Sequence, residues 1–168
     1  MNLESNKYDF KGNDKPNTNL IRFIEECESC GLNMIIKPGP FIHAEVNYGG
    51  LPDELNNIDY EKKESLNGEL CKYERKKGCY YIPSSFSKKF INSAEKWYEA
   101  VINAVSSHFY PNGCIVGIQL MNEGIFSDAN SLIKDWDYSK SAIDGFSKYL
   151  KNKYKTIKYL NSCLATDY

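Results

Sequence analysis

The stretch Cys114-Ile115-Val116-Gly117-Ile118-Gln119-Leu120-Met121 decides the fold, because this short apolar run ends directly at the polar pair Asn122-Glu123. The turn sequence Tyr110-Pro111-Asn112-Gly113 precedes it. The pattern predicts a buried β-strand that begins at Cys114 or Ile115. A parallel barrel presents acids at the ends of its strands, where they can donate protons. We therefore expect Glu123 to lie at the mouth of a catalytic site.

A second β-rich run covers residues 32–37 and leads into Pro38-Gly39-Pro40. Two prolines cannot donate to a sheet ladder, so the strand is expected to end there. The following residues, Phe41-Ile42-His43-Ala44-Glu45, place another carboxylate beyond a strand end. Because the two strands look consecutive, we expect their ends to be neighbours.

The remaining periodic segments predict helices. Residues 19–30 show helical spacing with Gly31 as the stop signal, and residues 86–109 keep that spacing for more than six turns, with Ser84 or Ser85 as the cap. A third amphipathic segment covers about residues 138–154 and precedes a short helix at 157–163. Since strands and helices alternate, we expect parallel strands with helical crossovers.

Residues 48–83 are polar, carry glycine and show no sustained period. Connections this long are uncommon unless they are functional or disordered. We expect an extended strand-to-helix loop on the side of the catalytic site.

Length and charge narrow the class of protein. The chain has 168 residues, of which 42% are hydrophobic, and this is enough for one core and too short for two full domains. Its 21 basic and 22 acidic residues leave a net charge of -1, which argues against nucleic acid or an anionic membrane surface as a partner. Residues 1–7 lack the apolar core of a signal peptide, and no stretch approaches the ~20 apolar residues of a membrane span. We expect a cytoplasmic protein with a neutral partner such as a sugar.

The six cysteines allow two interpretations. Cys27 and Cys30 have the spacing of a metal hook, which Cys71 and Cys79 could complete. However, the first pair lies in a helical pattern, and the spacing of the second pair matches no zinc ribbon. We favour reduced thiols that are buried or idle, and expect no metal and no cofactor.

Two strand-end carboxylates suit the cleavage of a glycosidic bond, which commonly uses one carboxyl group as acid and another as nucleophile or base. Glu123 is the candidate acid, because partial burial would raise its pKa, and Asn122 can bind a sugar hydroxyl. Glu45 could be the catalytic partner, a sugar-binding acceptor or a surface acid. His43 could donate to substrate, whereas His108 at the end of a helix is expected to be structural. The alternative for Asn122-Glu123 is a loop start that caps the next element.

Three motifs together resemble a known family. Pro38-Gly39-Pro40-Phe41-Ile42-His43-Ala44-Glu45-Val46, then Gly49-Gly50-Leu51-Pro52, and then residues 115–123 resemble the β-galactosidases of glycoside hydrolase family thirty-five. Residues 153–161, with Thr166 shortly after, also resemble the related family forty-two enzymes. The likeness extends over most of the chain.

The resemblance implies an α/β fold, a partial (β/α)8 TIM barrel in which the two strands are about the third and fourth. It implies retaining hydrolysis of terminal β-galactosyl residues, with a β-galactoside or related oligosaccharide as substrate. Glu123 matches the general acid/base and Asn122 the amide beside it. Ala44 and Glu45 match the loop that holds the galactose hydroxyls, which makes Glu45 a binding residue. His43 stands where the family usually has cysteine or asparagine.

The nucleophile of the family lies near the seventh strand, and no residue here matches it. A barrel takes about 250 residues. We therefore expect residues 1–168 to be a single incomplete TIM-barrel segment that is inactive alone, exposes sheet edges and needs a polypeptide that completes the barrel. The alternatives are a non-catalytic carbohydrate-binding or regulatory remnant of a glycosidase and a decayed reading frame.

Overall fold

The computed structural model describes residues 8–40, 59–75, 78–120 and 137–168. Four α-helices and four strands lie in these ranges, and they alternate where the sequence predicted alternation, which confirms the α/β class. In chain order they are α1 (Leu20–Ser29), β1 (Met34–Ile36), β2 (Lys72–Arg75), β3 (Gly78–Tyr81), α2 (Lys88–Val105), β4 (Ile115–Ile118), α3 (Lys140–Tyr154) and α4 (Ile157–Leu164).

The two predicted strands are hydrogen-bonded neighbours that run in the same direction. Met34 pairs with Ile115, and Ile36 pairs with Ile118. Helix α2 lies between them in the sequence, so it forms the crossover that a parallel connection requires. The prediction that these segments lie side by side in one parallel sheet is confirmed.

Helix α1 begins and ends where the sequence indicated. The Asn19 side chain caps it by accepting a hydrogen bond from the Arg22 amide at 2.9 Å. Gly31 has a φ of 66°, a left-handed conformation that glycine adopts without a Cβ penalty. The chain therefore leaves α1 in a turn that leads directly to β1.

The core lies between α1, α2 and the two-stranded parallel sheet. Ile24 and Val105 are completely buried, and Ile115 is nearly so. Each such side chain contributes about 1.5–3 kcal/mol through removal of its apolar surface from water. Partly buried neighbours surround this core: Phe10, Leu20, Ile21, Cys27, Met34, Trp97, Ala104 and Phe109.

Helix α2 begins later and ends earlier than predicted. Its cap is Ser87, whose hydroxyl accepts from the Phe90 amide at 3.4 Å, so the expectation of Ser84 or Ser85 was wrong. The Ser84 hydroxyl is instead bonded to the Asp137 carboxylate. The helix has 18 residues and passes into a short 3-10 turn at Ser106–His108, which accounts for the apolar spacing that continued beyond Val105.

The segment expected to be a plain loop contains a β-hairpin. Strands β2 and β3 pair antiparallel, with Lys72 opposite Tyr81. The sequence between them, Lys76-Lys77, lacks the Asn-Gly or Asp-Gly pair that marks a tight hairpin, and this is why the pattern was missed. Part of residues 48–83 is therefore regular structure.

Several large apolar side chains around α1 and β1 are exposed. Ile35 is 62% exposed, Phe23 61% and Leu32 56%. Among the described residues, β1 pairs with β4 and with no other strand. One edge of β1 therefore has no strand partner within the described ranges. In the same part of the chain, none of the helices combines the length and the apolar character that crossing a bilayer demands.

Candidate active site

The candidate site is expected beyond the C-terminal ends of β1 and β4. The Gln119 amide donates to the Ile36 carbonyl oxygen at 2.9 Å, so the segments that leave the two strands begin side by side. Glu123 follows the last residue of β4 by five positions, and Glu45 follows the last residue of β1 by nine.

The predicted site residues themselves, His43, Ala44, Glu45, Asn122 and Glu123, lie outside the described residues. The structure brings together the strand ends that carry them. Their convergence on a shared hollow stays a prediction.

Helix α2 holds the backbone that leaves β1. The Trp97 indole donates from Nε1 to the Pro38 carbonyl oxygen at 2.7 Å, and the Tyr98 hydroxyl donates to the Gly39 carbonyl oxygen at 2.6 Å. Gly39 has a φ of 79°, which favours glycine at this turn. Two consecutive helical residues therefore fix the start of the segment that leads to Glu45.

Trp97 also packs against two aromatic rings. Its ring lies 5.2 Å from the Tyr8 ring and 5.7 Å from the Phe10 ring, measured between centroids. No local sequence signal predicted the hydrogen bond from Trp97 to Pro38 or the one from Tyr98 to Gly39. Burial raises the pKa of the Tyr98 phenol, so this hydroxyl remains a proton donor at neutral pH.

A cavity of about 420 Å³ opens beside β1, below the segment that Trp97 holds. Its walls are mainly apolar and aromatic, and its charged lining residues are Asp9 and Lys37. Its apolar and aromatic lining residues include Tyr8, Phe10, Leu20, Phe23, Met34 and Trp97.

A hydrogen-bonded polar cluster links α1 to the start of β4, at the end of this strand that lies away from the candidate site. One Glu28 carboxylate oxygen, Oε1, lies 3.0 Å from His108 Nδ1 and accepts from the Cys114 amide at 3.2 Å. The hydrogen bond from His108 is the main reason that the pKa of Glu28 lies below its usual range. His108 therefore has the structural role that was predicted.

Cys27 and Cys30, the first pair of the metal-hook hypothesis, differ in their exposure to solvent. Cys27 packs half-buried against the core, whereas Cys30 is exposed at the end of α1. In the described ranges, no group of three or more His, Cys, Asp or Glu residues could hold a metal ion. The Cys79 side chain is not among the described ones.

Comparison with known proteins defines the class. The profile of Glycosyl hydrolases family 35 matches residues 1–162. The match places the chain among glycosidase-family proteins. It belongs to glycosyl hydrolases family 35, as its motifs predicted, while the likeness to family forty-two stays a prediction.

The curated relatives carry several names. A beta-1,2-glucosyltransferase of Ignavibacterium album is 35% identical over 99% of this chain and 22% of its own length. An exo-beta-D-glucosaminidase of Thermococcus kodakarensis is 36% identical over 66% of this chain and 14% of its own length. A beta-galactosidase of Mus musculus is 25% identical over 87% of this chain and 18% of its own length. The chain thus spans less than a quarter of the length of these relatives.

Proposed function

We propose that the chain contributes the proton donor and part of the sugar-binding surface of a retaining β-galactosidase. The observation that carries the proposal is the parallel pairing of Ile36 with Ile118 in a family 35 chain, because it gives the segments leading to Glu45 and Glu123 a common origin. Carboxyl ends of parallel barrel strands are where barrel enzymes place their catalytic groups.

Glu123 protonates the leaving oxygen and then, as a carboxylate, activates the water that releases the sugar. Asn122 beside it contacts a sugar hydroxyl without adding charge. Glu45, Ala44 and His43 bind galactose hydroxyls from the other strand end. Hydrogen bonds of this kind discriminate between sugars, because a missing hydroxyl leaves a buried polar group unpaired.

The fold proposed for residues 1–168 is a single incomplete segment of a (β/α)8 barrel, with β1 and β4 as about the third and fourth barrel strands. The edge of β1 that no described strand pairs with supports this fold, as do the exposed Ile35 and Phe23, because a barrel would pair that edge and cover those side chains. The partner proposed is a polypeptide that supplies the remaining strands.

Retaining hydrolysis requires a second carboxylate that attacks the sugar and forms a covalent intermediate. The family resemblance offers no match for that nucleophile among the residues of this chain. We expect no turnover of a β-galactoside by these 168 residues alone.

The names of the relatives favour an alternative sugar in the substrate. The proteins that are 35% and 36% identical are named for glucosyl transfer and glucosaminide hydrolysis, whereas the mouse protein named for galactoside hydrolysis is 25% identical. The same residues would then bind a glucosyl or glucosaminyl unit. Aryl β-galactoside, β-glucoside and β-glucosaminide compared in one assay distinguish these possibilities.

The test is hydrolysis of an aryl β-galactoside by the chain mixed with a polypeptide that carries the remaining barrel strands. We expect Glu123→Gln to lose most of the rate and Glu45→Ala to raise KM. Glu26→Gln changes an exposed carboxylate on α1 and serves as the matched control. Full activity of Glu123→Gln would contradict the assignment. Galactoside binding that Glu45→Ala abolishes, with hydrolysis at background, would favour a non-catalytic carbohydrate-binding protein.

A further inference from the structure

A buried hydroxyl at the entry to α2 joins two distant parts of the chain. The Ser84 hydroxyl donates to Asp137 Oδ2 at 2.7 Å and accepts from the Ser139 hydroxyl at 3.0 Å. It also accepts from the Phe86 amide at 3.1 Å. Ser84 and Ser139 are both fully buried. The second oxygen of Asp137 accepts from the Ser139 amide at 3.0 Å.

A third segment enters the same network. The Ser84 amide donates to the Glu61 carbonyl oxygen at 2.9 Å, and the Glu61 side chain accepts from the Ser141 amide at 2.9 Å. The Tyr138 amide donates to the Glu64 carbonyl oxygen at 2.8 Å. Residues 61–64 and 137–141 are therefore linked to each other, both directly and through Ser84.

The position of the network relates it to the strand ends. Trp97 contacts Pro38 just beyond β1, and α2 extends about 14 Å from Trp97 back to its start at Lys88, at 1.5 Å per residue. The buried core residues of α2, Val101 and Val105, lie in the other direction. Ser84, which precedes α2, therefore lies beyond the strand ends, on the side where the segments leading to Glu45 and Glu123 leave the sheet.

Each of the two linked segments, 61–64 and 137–141, follows one of the connections that leave the strand ends. Residues 59–64 are the first described residues after Glu45, and Asp137 is the first described residue after Glu123. The starts of these connections are already joined by the hydrogen bond from Gln119 to Ile36. Hydrogen bonds thus join the two connections at their N-terminal ends and again at their C-terminal ends.

We infer that Ser84 is a positioning residue that couples the connection carrying Glu45 to the connection carrying Glu123. A buried hydroxyl without its partners is unfavourable, so the network holds one arrangement of both segments. Sugar binding at Glu45 and proton donation at Glu123 then depend on Ser84 through the two segments that it joins. This inference rests on the proposed function for its effect on sugar, but the coupling itself can be measured without sugar.

Amide hydrogen exchange on the full chain tests the coupling. In Ser84→Ala we expect the amides of Tyr138, Ser139 and Ser141 to lose protection together by about ten-fold or more, while those of β1 and β4 keep theirs. Ser106→Ala removes an exposed hydroxyl at the other end of α2 and should change none of them. Wild-type exchange at residues 138–141 in Ser84→Ala would overturn the inference. If Ser84→Ala loses protection throughout the chain, exchange is measured on Asp137→Asn instead. Loss of protection confined to residues 138–141 would support the inference, and wild-type exchange there would overturn it.

Titration with methyl β-galactoside of the chain mixed with a polypeptide that carries the remaining barrel strands tests the consequence for binding. We expect Ser84→Ala to weaken binding about ten-fold, and to do so much less in the Glu45→Ala background, because the effect acts through Glu45. An equal loss in both backgrounds would show that Ser84 supports folding alone and would overturn the positioning role. Absence of galactoside binding by the wild-type chain mixed with that polypeptide contradicts the proposed function, while the exchange measurement on the chain still decides whether the segments are coupled.

Discussion

The Gln119 amide donates a hydrogen bond to the Ile36 carbonyl oxygen at 2.9 Å, just past the last paired residues of β4 and β1. This bond fixes the relative position of two connections whose sequences carry the family motifs. The proposed site depends on this parallel pairing of β1 and β4, and each contact around it can be tested separately.

The Tyr98 hydroxyl is expected to stabilise the turn at Gly39. Tyr98→Phe removes the donor and leaves the Gly39 carbonyl without that bond, so we expect a loss of about 0.5–1.5 kcal/mol in the free energy of unfolding. Urea denaturation measures it. Tyr110→Phe, at a side chain that is 73% exposed, is the matched control and should be neutral. Equal stability of the two variants would mean that the bond at Gly39 contributes nothing.

Gly113 is expected to tolerate no side chain. A Cβ at this position would collide with the Cα and carbonyl oxygen of His108 and with the Glu28 carboxylate. We expect Gly113→Ala to destabilise the chain by about 1–3 kcal/mol, as overpacking does elsewhere. In Gly117→Ala the added Cβ would meet Ile35 Cγ1 at an ordinary 3.7 Å, so this variant should cost less. The prediction fails if Gly113→Ala melts no lower than Gly117→Ala.

Glu28 should make stability depend on acid pH. The hydrogen bond from His108 holds the pKa of Glu28 below its ordinary value of 4.5. Since the folded pKa is the lower one, the stabilisation is complete above the ordinary value and is lost as the pH falls through the folded pKa. Denaturation at about pH 6 and about pH 3 measures this loss, which should shrink in Glu28→Gln. Glu26→Gln, at an exposed carboxylate on the same helix, should keep the wild-type loss.

The core between α1 and the sheet should be sensitive to truncation at Ile24. This side chain has no exposed surface, so Ile24→Ala leaves a cavity and is expected to cost about 2–5 kcal/mol. The same substitution at Ile143, which is 50% exposed on α3, should cost much less. A thermal or urea melt of both variants tests the prediction, and similar losses would mean that the core has been placed wrongly.

Strands β1 and β4 and the helices could be predicted because short-range signals agreed with one another. Asn19 and Gly31 bracket α1, and the apolar run at Ile36 ends at Pro38, which cannot donate to a sheet ladder. The family motifs named the candidate residues, but those residues lie outside the described ranges, so their convergence could be predicted and not observed.

Other features depend on contacts between distant parts of the chain, which leave little local pattern. Ser84 looked like a helix cap because serine favours that position, yet its partner is Asp137, which lies 53 residues further on. Glu28 resembled any exposed helical acid until the fold brought His108 to it from 80 residues away. Tertiary hydrogen bonds of this kind override local preference without altering periodicity.

The most direct test of the central claim is a map of the chain's amide chemical shifts as methyl β-galactoside is added to the chain mixed with a polypeptide that carries the remaining barrel strands. The account predicts that residues 43–45 and residues 122–123 shift together, with a single dissociation constant, because one sugar contacts both strand ends. Shifts confined to one of these segments, or shifts in both with different dissociation constants, would contradict a shared site.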